Sequence, residues 1–361
     1  GSRDKPAVDA MGATYRQIFD EMGFATEVVS QDDCGNHLIC RLRGEGEGRV
    51  LVLAHIDTVW PVGTLAGWPF QVSGDRVTGP GVGDMKGGIV EAIFAVKALR
   101  ELGRSLPGQL TFFFTGDEEL GSPTGRPHIE RLGREHDAVL VVEPANLAGE
   151  IVSGRGGIGA FLLEVTGKSS HCGGGPHNGV SAIHELAHKI VQLESLNDWD
   201  NFTMVNAGLI EGGSARQVQA DHASAWIDLR APSDERAQQL EERVRAIVDT
   251  AYLPGTSASL TGSWTRPPAP ATEGNLRLLG MANEIAQSLG FELQARISQG
   301  GSDGSFTSPL GIPTLDGLGP ITGEPVSARE YIMIDSLAPR AAVIAGLIEG
   351  VGQSPASLNG Q

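Results

Sequence analysis

Three stretches of the chain run apolar almost without a break: RVLVLAHIDTV from Arg49, QLTFFFT from Gln109 and HDAVLVVEP from His136. A strand buried on both faces reads this way, because neither side needs polar residues. Between the first two, GGIVEAIFAVKALRELG places apolar residues at helical spacing and stops on glycine, which predicts a helix from Gly87. An earlier amphipathic helix is expected from about Pro6 to Gly23, followed by strands in ATEVVS and HLICRLRG. Strands separated by helices predict an α/β fold with a mostly parallel sheet flanked by helices.

After Ile151 the pattern changes. GIGAFLLEVTGKSS alternates like a half-exposed strand, GVSAIHELAHKIVQLESL is helical, FTMVNAGLIEGG and HASAWIDLRAP are strands, and SDERAQQLEERVRAIVDTAY is a helix with an Asp or Ser cap. With SASLTGSW as a further strand, this predicts a compact α+β insert built on an antiparallel sheet. TRPPAPATEG reads as a linker, after which a helix, a strand and a final helix return. The expected division is residues 1–151 and 267–361 as one domain and 152–266 as an inserted one.

A chain of 361 residues is long for one core, which agrees with two domains. The net charge of −17 makes nucleic acid and anionic membrane poor partners. No stretch approaches the roughly 20 apolar residues of a membrane span. Cys34, Cys40 and Cys172 have no regular spacing, which argues against a disulfide framework or a cysteine zinc site and favours reduced thiols and a cytoplasmic setting. The opening GSRDKP carries no signal-peptide pattern.

Polar residues cluster where the apolar runs end. LAHIDTV releases His55 and Asp57, the glycine-rich GPGVGDMKGG carries Asp84 into a helix, FFFTGDEELGS ends in Asp117, Glu118 and Glu119, and VLVVEPAN ends in Glu143. Each has a plainer reading taken singly: a strand-end pair, a helix cap, a solvated turn. Three adjacent carboxylates repel, and burying one unpaired costs several kcal/mol, roughly. In a parallel α/β sheet these ends share one edge, where ligands bind. One histidine and several carboxylates converging there suit a borderline cation such as Zn²⁺.

With these motifs in hand, the chain resembles the co-catalytic zinc carboxypeptidase and amidohydrolase family, which includes glutamate carboxypeptidase, aminoacylase, acetylornithine deacetylase and succinyl-diaminopimelate desuccinylase. HIDTVWP, GPGVGDMKGG, TGDEELGS, VVEP, GKSSHCG, GGSDG and REYI occur in family order, and the first two phrasings are closest to the glutamate-carboxypeptidase branch. The resemblance covers nearly the whole chain, and it implies a further N-terminal helix that is missing from this sequence. It implies up to two zinc ions. His55 and Glu143 would hold one, Glu119 the other, and Asp84 would bridge them. Asp57 would fix the His55 tautomer, and Glu118 would act as general base. The peptide bond after the bridging Asp84 would be cis. The insert would be a dimerisation or lid domain, making a homodimer in which His171 reaches the partner's site to stabilise an oxyanion. Arg230 in IDLR would hold a substrate carboxylate, with a structural ion pair as its plainer role. Gly300, Gly301, Ser302 and Asp303 would line that part of the site.

Two positions depart from the family pattern. Arg216 in GGSARQVQ stands where the family carries Asn, facing substrate across the dimer. Val326 stands four residues before Glu330, where the family has a histidine for the second zinc, and no histidine follows His222. Glu324 is the replacement ligand that the local sequence offers. The expected activity is metal-dependent hydrolysis of an amide bond in an N-acyl amino acid or small peptide bearing a free carboxylate. The alternatives are a degenerate relative with one metal and weak turnover, or a binding protein for a carboxylated small molecule.

Overall fold

The computed structural model describes residues 1–174 and 178–358, so Gly175 and Pro176 of the CGGGP turn lie outside the described residues. Two compact units emerge, one of residues 1–154, 269–298 and 302–361, the other of residues 155–268 and 299–301. The boundary falls slightly later than the sequence pattern suggests. Strand Ile151–Arg155 pairs with Ala295–Ser298, which holds most of it in the first unit.

The first unit is built on a six-stranded sheet. Its strands run Ala25–Val29, His37–Leu42, Gln109–Thr115, Arg49–His55, Ala138–Val141 and Thr314–Leu315 across the sheet. The last four are parallel to one another, as expected. The first two are not: Ala25–Val29 pairs antiparallel with His37–Leu42, which pairs antiparallel with Gln109–Thr115. The sheet is therefore mixed. The cause is local, since the seven residues between the first two strands are too few for the crossover that parallel pairing needs.

The continuous apolar runs are explained by burial on both faces. Phe112 and Phe114 pack into one core with Phe19, Ile89 and Val96, while Phe113 points the other way into a second core with Ile129, Leu132 and Phe306. Each such side chain stabilises the fold by about 1.5–3 kcal/mol relative to exposure. Helix Gly87–Glu101 and helix Ile334–Gln353 pack against each other over the first core. The first helix spans Lys5–Glu21, with Asp4 as its cap, accepting from the Ala7 N–H.

A small antiparallel sheet joins Thr322–Gly323, Tyr331–Met333, Arg76–Thr78 and Gln71–Ser73. The sequence pattern does not reveal it, because the strands are two or three residues long. Its pairing of Tyr331–Met333 with Arg76–Thr78 brings the C-terminal REY segment beside the Asp84 loop.

The second unit is a four-stranded antiparallel sheet in the order Met204–Gly212, His222–Ala231, Gly157–Thr166 and Ser257–Arg266. Helices Ala182–Glu194 and Asp234–Asp249 cover one face, sharing a core with Phe161, Leu163, Val165 and Ile227. The alternation read in GIGAFLLEV is the period of a sheet with one face covered. No helix among the described residues is long and apolar enough to cross a membrane, and all three cysteines are free.

Candidate metal centre

His55 ends its strand with the ring wholly buried. Its Nδ1 lies 3.0 Å from the Asp57 carbonyl and 3.3 Å from the Asp57 carboxylate. Its Nε2 faces Asp84 Oδ1 at 2.9 Å and Glu143 Oε1 at 3.7 Å. Asp57 therefore occupies one ring nitrogen and leaves the other turned to the carboxylates, the arrangement that fixes a ligating tautomer. The Asp57 carboxylate also accepts from the Glu118 and Glu119 backbone N–H groups, so one side chain orients three of the site's residues.

Asp84 sits in a glycine loop where a side chain would collide. A Cβ on Gly83 would come within 2.3 Å of Thr322, and Gly81 has a φ of +71°. The Asp84–Met85 peptide is cis, as the resemblance implied. Met85 is buried, and its sulfur accepts from the His55 N–H. Glu330 holds the same loop from the other side: its Oε1 accepts from Gly83 N–H at 2.8 Å and Asp84 N–H at 3.4 Å, and its Oε2 from Val326 N–H. In the sequence, Glu330 marks only the position from which Val326 is counted. The REY motif was its signal, but its work on Asp84 depends on strand pairing that the motif does not show.

The three adjacent acids separate. Asp117 turns away and accepts from the N–H groups of Thr124 and Gly125 and the Thr124 hydroxyl, closing a turn in which Ser122 takes a positive φ of 55°. Glu118 and Glu119 remain with the cluster. Two groups of potential ligand atoms, each within 4.8 Å of one another, share the imidazole: His55, Asp84 and Glu119, and His55, Glu118 and Glu143.

The electrostatics show what this donor set lacks. Burial pushes Glu143 well above the usual carboxylate range, helped by the charges of Asp84 and Glu118. Burial, with Asp84 and Glu118 again, pushes Glu119 up to about 8. For His55, burial pulls downward, but hydrogen bonds to Asp57 and Asp84 and the charge of Glu143 outweigh it and raise it well above its ordinary value. Burial would raise Asp57, yet its contact with His55 holds it lower. Four carboxylates around one imidazole carry more negative charge than the ring can balance, so the residues fit a divalent cation.

The remaining predicted residues fall elsewhere. Glu324 joins neither group; it has a positive φ of 51°, and its carboxylate pairs with Arg329. Its carboxylate is thus paired with Arg329 rather than grouped with the cluster. Val326 also has a positive φ, of 59°, an unusual backbone for a β-branched residue, and its side chain is half exposed. Ser302 is buried with its hydroxyl accepting from Gly304 N–H. Asp303 accepts from the hydroxyls of Thr115 and Ser122, tying this loop to the Glu118 turn.

In the second unit, His171 is exposed and its Nδ1 accepts from Gly173 N–H, which places the proton of the neutral ring on Nε2. Arg230 donates to Asp228 at 2.6 and 3.0 Å and to the Gln299 carbonyl at 2.8 Å. The ion pair is real, but one N–H on each terminal nitrogen is left outside these bonds. The Gly300 and Gly301 carbonyls accept from Arg155, and Arg216 lies exposed.

Glu330→Ala is expected to weaken metal binding about 10–100-fold, because it releases the Asp84 loop. Glu324→Ala should leave it unchanged, because its carboxylate is engaged by Arg329. Metal titration of the two variants by calorimetry checks both outcomes.

Comparison with known proteins agrees with this geometry. The pattern of Peptidase family M20/M25/M40 matches residues 51–350. The chain is 29% identical over 360 residues to Carboxypeptidase G2 of Pseudomonas sp. (strain RS-16), covering 98% of this chain and 86% of that one. It is 26% identical over 321 residues to succinyl-diaminopimelate desuccinylase of Legionella pneumophila (strain Corby), covering 83% and 82%. Among solved structures it is similar to a tripeptidase from Staphylococcus aureus, with a TM-score of 0.81, 24% identity and coverage of 94% and 92%. An M20 family metallo-carboxypeptidase from Sulfolobus solfataricus gives a TM-score of 0.74 at 17% identity, with coverage of 95% and 94%. The chain belongs to peptidase family M20/M25/M40 and is a metal-dependent hydrolase of peptide or amide bonds.

Proposed function

We propose that this hydrolase releases a carboxylate-bearing amino acid from an N-acyl amino acid or short peptide, in the manner of a glutamate carboxypeptidase. The observation that carries the reading is the crowding of Asp84, Glu118, Glu119 and Glu143 around the single ring of His55. The similarity to Carboxypeptidase G2 over nearly the whole chain supports the substrate class.

His55, Asp84 and Glu143 would hold one zinc ion, and Asp84 with Glu119 a second. When bound, the metal supplies Lewis acidity and neutralises the crowded carboxylates. Asp57 keeps the His55 ring in one tautomer, and Glu330 keeps Asp84 in place. Glu118 accepts the proton of the attacking water and returns it to the leaving amine. The His171 Nε2–H would stabilise the oxygen that gains charge. Arg230 would take the substrate carboxylate on the two N–H groups outside those bonds. The second metal would be held more weakly than the first, since Val326 supplies no donor.

A homodimer through the second unit fits this reading. Strand Met204–Gly212 is a sheet edge that exposes Leu209 and Ile210, and Ile183 is exposed close to Gly212. Unpaired edges with apolar side chains are surfaces that a second copy covers.

The test is a hydrolysis screen on metal-loaded protein. N-acyl glutamate should be cleaved, while its α-methyl ester should be cleaved far more slowly. Chelation should abolish turnover and lower the melting temperature, and added zinc should restore both. Equal cleavage of acid and ester would overturn the carboxylate assignment. A protein that binds metal but cleaves neither substrate would support the degenerate alternative.

A further inference from the structure

Helix Ala182–Glu194 in the second unit carries His184 and His188 one turn apart, outside any group described above. Residues at i and i+4 project from the same face of a helix. The two Nε2 atoms lie 3.2 Å apart. Two imidazole nitrogens, each about 2.0–2.1 Å from a tetrahedral zinc ion, would sit about 3.3 Å from one another. The pair thus stands at chelating separation.

Its surroundings hold it there. The Tyr252 ring stacks on His188 with centroids 3.5 Å apart and 20° between planes. The same tyrosine meets His184 edge-on at 6.1 Å. Tyr252 is itself fixed, because its N–H and that of Leu253 donate to the buried carboxylate of Glu185, on the same helix between the two histidines. Lys189 then ties that carboxylate to the end of helix Asp234–Asp249, donating to Glu185 and to the carbonyls of Ile247, Val248 and Thr250. His184 is exposed and His188 half-buried, so solvent can supply the remaining ligands.

We propose that His184 and His188 form a separate transition-metal site, taking one borderline divalent ion such as Zn²⁺, Ni²⁺ or Cu²⁺ per chain through their two Nε2 atoms. Neutral imidazole suits these ions, and a pair of nitrogen donors disfavours Mg²⁺ and Ca²⁺, which take oxygen ligands. With two protein ligands, this site is weaker than the carboxylate-rich centre of the first unit.

The experiment compares zinc uptake by wild type and by the double variant His184→Gln/His188→Gln, each first saturated at its catalytic centre and freed of excess zinc. Calorimetric titration with further zinc is expected to show one equivalent per chain less in the double variant. Hydrolytic activity should be the same in both. Untagged wild type should be retained on an immobilised Ni²⁺ support, and either single variant should elute earlier. Equal zinc uptake by wild type and double variant, with equal retention, would overturn the site and leave the contact as an N–H···N hydrogen bond.

Discussion

Glu118→Gln is expected to lower turnover by roughly 10²–10⁴-fold, the span typical of losing a general base, while bound metal stays in place. The amide has nearly the same shape as the carboxylate, so the turn that carries it should persist. The backbone of that turn is held by Asp57, whose carboxylate accepts the N–H groups of both Glu118 and Glu119. What the variant loses is the ability to take up a proton. The geometry also allows a competing role, since Glu118 groups with His55 and Glu143 as a potential ligand. Elemental analysis beside the kinetics separates the two. Retained metal with slow turnover identifies a base, and lost metal identifies a ligand.

Lys189→Met is expected to destabilise the second unit by about 3–5 kcal/mol, the usual cost of breaking a buried charged pair. Lys189 and Glu185 are both fully buried, with Nζ and Oε1 3.0 Å apart. The ammonium satisfies three backbone carbonyls near the end of helix Asp234–Asp249 as well. Methionine fills similar space but donates nothing, which leaves those carbonyls and one carboxylate short of partners. Chemical denaturation followed by tryptophan fluorescence, with Trp199, Trp226 and Trp264 all in this unit, reads the loss. A change below about 1 kcal/mol, the scale of an exposed pair, would show that water replaces the contacts.

Much of this molecule is legible in its hydrophobic pattern, because a strand covered on both faces leaves an unbroken apolar run and a polar end. QLTFFFT shows it clearly: three phenylalanines alternate between two cores, and the chain then turns polar at the ligand edge. His55, Asp84, Glu118, Glu119 and Glu143 were readable because each follows such a run or a glycine loop. The division of labour within Asp117, Glu118 and Glu119 was not. It depends on a left-handed backbone at Ser122 and on donors at Thr124 and Gly125. Glu330 was hidden for a different reason, since its partner Asp84 lies on a distant segment and the connecting strands are too short for periodicity. The pairing of Glu324 with Arg329 is likewise unmarked in the sequence. The antiparallel edge is not legible, because Ala25–Val29 and His37–Leu42 carry no mark of direction.

The pairing of Ala138–Val141 with Thr314–Leu315 spans the whole inserted unit. On the ribosome, Val139 therefore emerges long before its neighbour Thr314. The four-stranded sheet of residues 155–268 and its helices Ala182–Glu194 and Asp234–Asp249 are available first and have their own core. The expected order of synthesis-coupled folding is thus inside out: the insert closes while the catalytic sheet still lacks its last strand. Until residues near Thr314 arrive, the nascent sheet presents Ala138–Val141 as an open apolar edge. That interval is when a chaperone has the most to shield.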